Sequence, residues 1–368
     1  MGSGTEVLVI GGGPAGLAAA IAARRKGFEV TVVDGAKPPI DKACGEGLMP
    51  NTVTALRELG ITIHPRDGRA FRGLRFLAGG TEAEASFQVT AGIGIRRTVL
   101  HERMVEEAQE CGVRLLWNTP VSGLSPAGAI VGGNSMSAGW VIGADGIHSR
   151  VRRWSGLEQG RRQEARFAQR RHYRVSSWTD CVEIYWGHSM QAYVTPLGRE
   201  ETCVVLVSAK PRLRFEEALR EFPRLAARLA DAELSSAERG GFTATRRLRR
   251  VYRGNVALTG DASGSVDAIT GEGLCLSFRQ ATALADALGA GKLEKYQSAH
   301  NQLSRQPHFM SRLLLLLGRN AALRQRTLKV LAKDPDVFVR LLAVHTRETS
   351  ALHLTSASLR FGYQFLAT

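Results

Sequence analysis

TEVLVIGGGPAGLAAAIAARRKGFEVTVVD, residues 5–34, decides the fold. Its first six residues are an apolar run of strand length, and a glycine turn follows directly. An alanine-rich helix is expected from about Gly16 to Arg25, and a second strand, FEVTVVD, ends at Asp34. Strand, glycine turn, helix and strand make a β-α-β unit. Within the turn, Gly11, Gly13 and Gly16 form G-x-G-x-x-G, with Ala15 between the last two. The first glycine permits the tight turn, the second lets a pyrophosphate approach the backbone, and the third allows the helix to sit close on the strand. The helix N-terminus then presents unpaired N–H groups to the phosphates. Asp34 stands where a carboxylate accepts hydrogen bonds from a ribose. This unit binds a dinucleotide but does not say which.

Two further strings narrow the choice. WVIGADGIHSRVRR carries G-A-D-G-x-x-S-x-x-R as Gly143, Ala144, Asp145, Gly146, Ser149 and Arg152, and GNVALTGDASGSVDAITGEGL carries Gly260–Asp261 after an apolar strand. With the N-terminal unit, these resemble the ordered fingerprints of the flavoprotein aromatic hydroxylase superfamily, which also holds the geranylgeranyl reductases and flavin-dependent halogenases. The resemblance covers about residues 5–295 and implies FAD, with NADH or NADPH as reductant. It assigns Asp261 to the ribityl chain, Arg97 to the phosphates and ribityl, and Val121 to the side of the adenine. Asp145 matches a residue held to support the fold and nicotinamide use; a buried Asp capping a turn is the alternative. Gly271, Gly273 and Leu274 open a long helix whose N-terminus, by the same resemblance, would face the flavin ring edge, where a dipole end is worth roughly 0.3–2 kcal/mol to a developing negative charge.

The branch is read from departures. CGEGLMP, Cys44 to Pro50, and TGEG, Thr270 to Gly273, resemble the reductase branch, which brings Cys44 and Gly45 to the cofactor. Gly264 and Ala268 replace the histidine and proline usual in the hydroxylases, and the reductases also favour proline at 268. The reductase string Y-x-W-x-F-P is here QAYVTP, with Gln191, Tyr193, Thr195 and Pro196 in register; the halogenase W-x-W-x-I-P is absent. Hydroxylation of an apolar or aromatic small molecule, such as a polyketide, through a flavin C4a-hydroperoxide is therefore the first expectation. Reduction of C=C bonds in an isoprenoid or lipid-like substrate is the second, and halogenation or a non-catalytic flavoprotein comes behind both. Cys44 and Tyr193 are the candidate catalytic side chains, while Tyr185, Trp186 and Tyr193 are either a pocket wall or ordinary core.

Between the fingerprints the pattern alternates. Residues 69–95 and 167–209 read as short antiparallel strands, and about 215–231 as helix. The expectation is an α/β fold. A Rossmann-type FAD-binding domain (1–68, 95–160, 250–295) interleaves with an antiparallel β-sheet substrate domain (69–94, 161–249), and a helical C-terminal region follows (296–368).

Composition sets limits. Five cysteines, Cys44, Cys111, Cys181, Cys203 and Cys275, include no C-x-x-C pair, which argues against a disulfide framework or a zinc site and suits a reducing cytoplasm. No metal ligand spacing and no G-x-S-x-G elbow appears. No signal peptide is read, and the leucine run 313–317 is far shorter than the ~20 residues that span a bilayer. Lys and Arg number 49 against 34 Asp and Glu, a net charge of +15. From Tyr296 onward, ten basic residues face three acidic ones. That excess suits peripheral contact with an anionic membrane or an acidic carrier protein, or else a solvated surface over a tail packed on the FAD domain. No nucleic-acid partner is expected, and oligomeric state is not legible.

Overall fold

The computed structural model describes residues 4–162, 165–349 and 360–365. Strand Thr5–Ile10 lies at the centre of the first sheet, parallel to Asn134–Gly143 on one side and Val30–Val33 on the other. Val256–Leu258 and Arg114–Leu116 extend the sheet in parallel at either flank. A parallel sheet is covered on both faces, which is why its strands read as unbroken apolar runs. Helix Pro14–Arg25 begins on a proline, whose missing N–H costs nothing at that position. Its residues Leu17 to Ala23 are all buried. The small side chains let it lie close to helix Gly273–Gly289.

The second sheet runs Glu233–Leu234, Arg166–Arg174, Thr202–Ser208, Met190–Pro196, Cys181–Trp186, Gly73–Ala78, Thr81–Ser86. It departs from the all-antiparallel expectation at one junction, since Cys181–Trp186 is parallel to Gly73–Ala78. The physical reason is connectivity. The chain leaves this sheet after Ser86 and returns only at Arg166, so no hairpin sets the direction of the joining strand. The helix expected over 215–231 is two, Phe215–Leu219 and Pro223–Leu229, divided before Pro223.

The tail forms helices Leu293–Arg319, Ala321–Lys333 and Pro335–His345, and residues 360–365 are also helical. The helical expectation for 350–359 and 366–368 lies outside the described residues. Asn320 separates the first two helices, its side chain accepting from Leu323 N at 2.9 Å, and Pro335 opens the third. The start of the tail packs on the FAD domain through Leu293 and Tyr296. The rest does not: Leu317, Leu328, Leu331, Phe338 and Leu342 share a core with Leu74, Ile184 and Trp186 of the second sheet. Among the described residues, no helix is long and apolar enough to cross a membrane.

Candidate functional site

The two sheets and the tail enclose one cavity of about 1910 Å³. Of the residues that the sequence assigned to the cofactor or to catalysis, all but Gly16 line it. Gly16 lies beneath the turn, where a Cβ would stand 1.8 Å from the Gly11 carbonyl oxygen. Gly11 has φ +114°, and a Cβ there would meet the Ala144 carbonyl at 2.5 Å. At Gly13 a Cβ would meet nothing within 4 Å, so the turn shows bare backbone to the cavity. Asp34 braces the turn, accepting from Gly12 N and Ala36 N at 2.7 Å each. His101, which the sequence reading passed over, holds it from below. Its Nε2 donates to the Gly12 carbonyl at 2.8 Å, and burial pushes its pKa down.

Asp145 accepts from the Ser149 hydroxyl and from Arg150 N (2.6 Å) and Val151 N (3.1 Å), so it caps helix Arg150–Trp154 while lining the cavity. Arg152, at the end of the same motif, is buried. It reaches Glu158 at 2.8 Å and donates to the Ala262 carbonyl at 3.1 Å, tying this segment to Gly260–Asp261. Asp261 itself lies 3.4 Å from Lys42 Nζ.

The loop Cys44–Gly47 is organised by Glu46, a second residue missed in the sequence. Glu46 sits at φ +57°, a strained conformation for a residue with a side chain. Its carboxylate lies 3.0 Å from Arg170 and 2.5 Å from His172 Nε2, and accepts from Arg97 N at 2.9 Å. The loop is thus bolted to the second sheet and to the start of helix Arg97–Glu110. Glu46, His172 and Cys203 also have the spacing of a cation site, but Arg170 already supplies the positive charge there.

Beyond Gly271 the cavity turns apolar. Phe76, Trp186 and Tyr193 come from the sheet, and Leu314, Leu328 and Phe338 from the tail. Tyr185, considered with them, points to the other face and donates to Glu183 at 2.7 Å. Burial raises the Tyr193 phenol pKa, and its hydroxyl donates to Gln191 at 3.2 Å, so it is a neutral wall residue with its proton committed. At the inner end, His345 Nε2 donates to the Thr270 carbonyl at 3.1 Å, while its Nδ1 stands 3.8 Å from Glu272. Burial raises the Glu272 pKa against the opposing pull of His345, Arg347 and Arg279.

These residues fit a flavin dinucleotide. Bare glycine backbone and the N-terminus of helix Pro14–Arg25 suit a pyrophosphate. Arg97 adds a buried Nε without a hydrogen-bond partner among the described residues, facing the same cavity. At Gly271 and Gly273 an added Cβ would meet nothing within 4 Å, leaving room for a flat ring against the backbone.

The comparisons agree with that chemistry. A family described as FAD binding domain matches residues 4–298. The chain is 31% identical over 327 residues to a menaquinone reductase of Mycolicibacterium smegmatis, covering 81% of this chain and 80% of that protein. It is 29% identical to digeranylgeranylglycerophospholipid reductase 1 of Methanothermobacter thermautotrophicus, covering 73% of each. Its fold matches a flavoprotein/dehydrogenase from Cytophaga hutchinsonii with a TM-score of 0.80 at 20% identity, over 93% of this chain and 92% of that one. Fold, glycine turn and family match together place the chain in the FAD binding domain family, as an FAD-dependent oxidoreductase.

Proposed function

We propose that this oxidoreductase reduces carbon–carbon double bonds of an isoprenoid or similarly lipid-like substrate, taking electrons from NADH or NADPH. The observation that carries the reading is the apolar chamber beyond Gly271. Ordinary ligand pockets hold ~300–1,000 Å³. This cavity, at about 1910 Å³, has room for a cofactor and a long apolar ligand together. Two relatives aligned over most of their length, one named a menaquinone reductase and the other a digeranylgeranylglycerophospholipid reductase, support the same reading. Hydroxylation, the first expectation from the motifs, is the second reading.

Bound FAD would supply the two-electron reduction. The chain's residues hold, orient and exclude water. Asp34, Arg97 and the glycine turn would hold the dinucleotide, and Arg152 would keep Asp261 in register with it. The walls of Phe76, Trp186, Leu328 and Phe338 would strip water from the substrate and align it, which supplies much of the rate in such reactions. His345, which lines the chamber with its Nδ1 3.8 Å from Glu272, would exchange the proton that the reduction takes up.

The test is anaerobic. The flavin-loaded protein is reduced with NADPH or NADH and mixed with a polyprenyl quinone or a geranylgeranyl lipid. The expected product gains two hydrogens per bond reduced. A product gaining oxygen in air, with no reduction under argon, would overturn the proposal in favour of hydroxylation.

A further inference from the structure

Helix Leu293–Arg319 carries three arginines at seven-residue spacing, Arg305, Arg312 and Arg319. Seven residues fall about 20° short of two full turns, so all three lie on one face. All three are exposed, and none is in an ion pair among the described residues. Beside them on the helix run Phe309, Leu313 and Leu316, with relative exposures of 67%, 41% and 51%. No Asp or Glu lies between 305 and 319. Arg305, Phe309 and Leu313 also line the cavity, so this face forms its rim.

We propose that the Arg305–Arg319 face docks on an anionic lipid surface, with the cavity mouth opening into the acyl layer. The occupant follows from complementarity of two kinds. An arginine row without acidic neighbours suits the lipid phosphates. An adjoining row of exposed Phe and Leu suits the acyl boundary, where an interfacial helix buries its apolar side. An acidic protein would satisfy the arginines, but it would not explain why the apolar row continues into an apolar chamber. The placement deepens the lipid-substrate reading by giving the substrate a dry route from membrane to cavity. It stands on the surface alone, however, and its test contains no substrate.

The flavin-loaded full chain is floated with vesicles of neutral phosphatidylcholine, or of phosphatidylcholine with phosphatidylglycerol, at low and high salt. Recovery with the anionic vesicles should exceed that with neutral ones by about tenfold or more at low salt, and fall as salt screens the arginines. Arg312→Glu and Arg319→Glu should each lower the anionic partition several-fold. Leu316→Ser should lower it at both salt concentrations. None of these three residues lines the cavity. Flavin content and melting temperature report whether each variant is folded. Equal recovery with neutral and anionic vesicles, or arginine variants that bind as the parent does, would overturn the proposal. The reductase reading would then stand or fall on its own assay.

Discussion

The imidazole Nε2 of His300 lies 3.0 Å from the hydroxyl of Ser263, in the segment that presents Asp261 to the cavity. The Ser263 hydroxyl donates to the Gly260 carbonyl at 2.8 Å, so the histidine is the donor of the pair. Burial, with His308 adding repulsion, pushes the His300 pKa down to about 4. The first tail helix thus reaches under the flavin fingerprint and holds it through a histidine that resists charging.

The sign of the pH effect follows. The unfolded chain takes up a proton near pH 6.5, while the folded chain does so only near 4. Stability contributed by neutral His300 is therefore complete above 6.5 and lost as pH falls toward 4, by on the order of 3 kcal/mol. His300→Gln should start from a lower melting temperature at pH 7.5 and lose less than the parent between pH 6.5 and 4. Parallel curves for the two proteins would show that His300 does not titrate in this way.

Glu272 carries the opposite sign. Burial raises its pKa, so the folded state favours the protonated acid. Its contribution is complete below the ordinary carboxylate pKa and is lost as pH rises through the raised value. Glu272→Gln keeps the neutral shape. It should melt higher than the parent at pH 8, with the gap closing near pH 4.5. A variant less stable at pH 8 would mean that Glu272 is ionised against His345, Arg347 and Arg279.

What the sequence made legible was local. G-x-G-x-x-G with Asp34 could be read because strand, turn, helix and acid lie within thirty residues of one another. Asp145 and Arg152 were visible for the same reason, being four and three residues from Ser149. Glu46 was not, because its partners Arg97 and His172 stand 51 and 126 residues away. Only the acid inside CGEG, a poor residue for a glycine loop, hinted at it. The tail announced its helices by periodicity, but periodicity does not say what an apolar face will cover. The face expected on the FAD domain lies mostly on the second sheet and closes the chamber. The parallel pairing of Cys181–Trp186 with Gly73–Ala78 was hidden too, since no turn chemistry specifies a pairing across a long excursion.

Glu46 should be the most sensitive side chain in the cofactor loop. It is 1% exposed between Arg170, at 2%, and His172, at 1%. Removing one partner of a buried ion pair costs ~3–5 kcal/mol, because the other charge is stranded. Glu46→Ala should therefore lower the melting temperature sharply and release FAD, since Arg97 loses the acceptor for its backbone N–H. Asp41→Asn, which removes the other Arg170 partner at an 18% exposed position, should cost much less. Similar losses in the two variants, measured by thermal melts and flavin absorbance after gel filtration, would place the strength of the network elsewhere.

Trp186 offers the sharpest probe of the substrate. Its side chain is buried in the chamber wall, 6% exposed, and its indole Nε1 finds no acceptor among the described residues. A buried donor without a partner costs ~1–3 kcal/mol, a penalty that a ligand acceptor placed there would relieve. An isoprenoid quinone carries such an acceptor in its carbonyl oxygens, and an isoprenoid hydrocarbon does not. Trp186→Phe keeps an aromatic wall and removes the donor. It should weaken binding of a polyprenyl quinone by about tenfold or more, as followed by flavin absorbance titration, and leave a hydrocarbon of the same chain length nearly unchanged. An equal loss for both ligands would reduce the tryptophan to packing. Loss for the hydrocarbon alone would point to a substrate recognised by its chain, with no polar head seated against this wall.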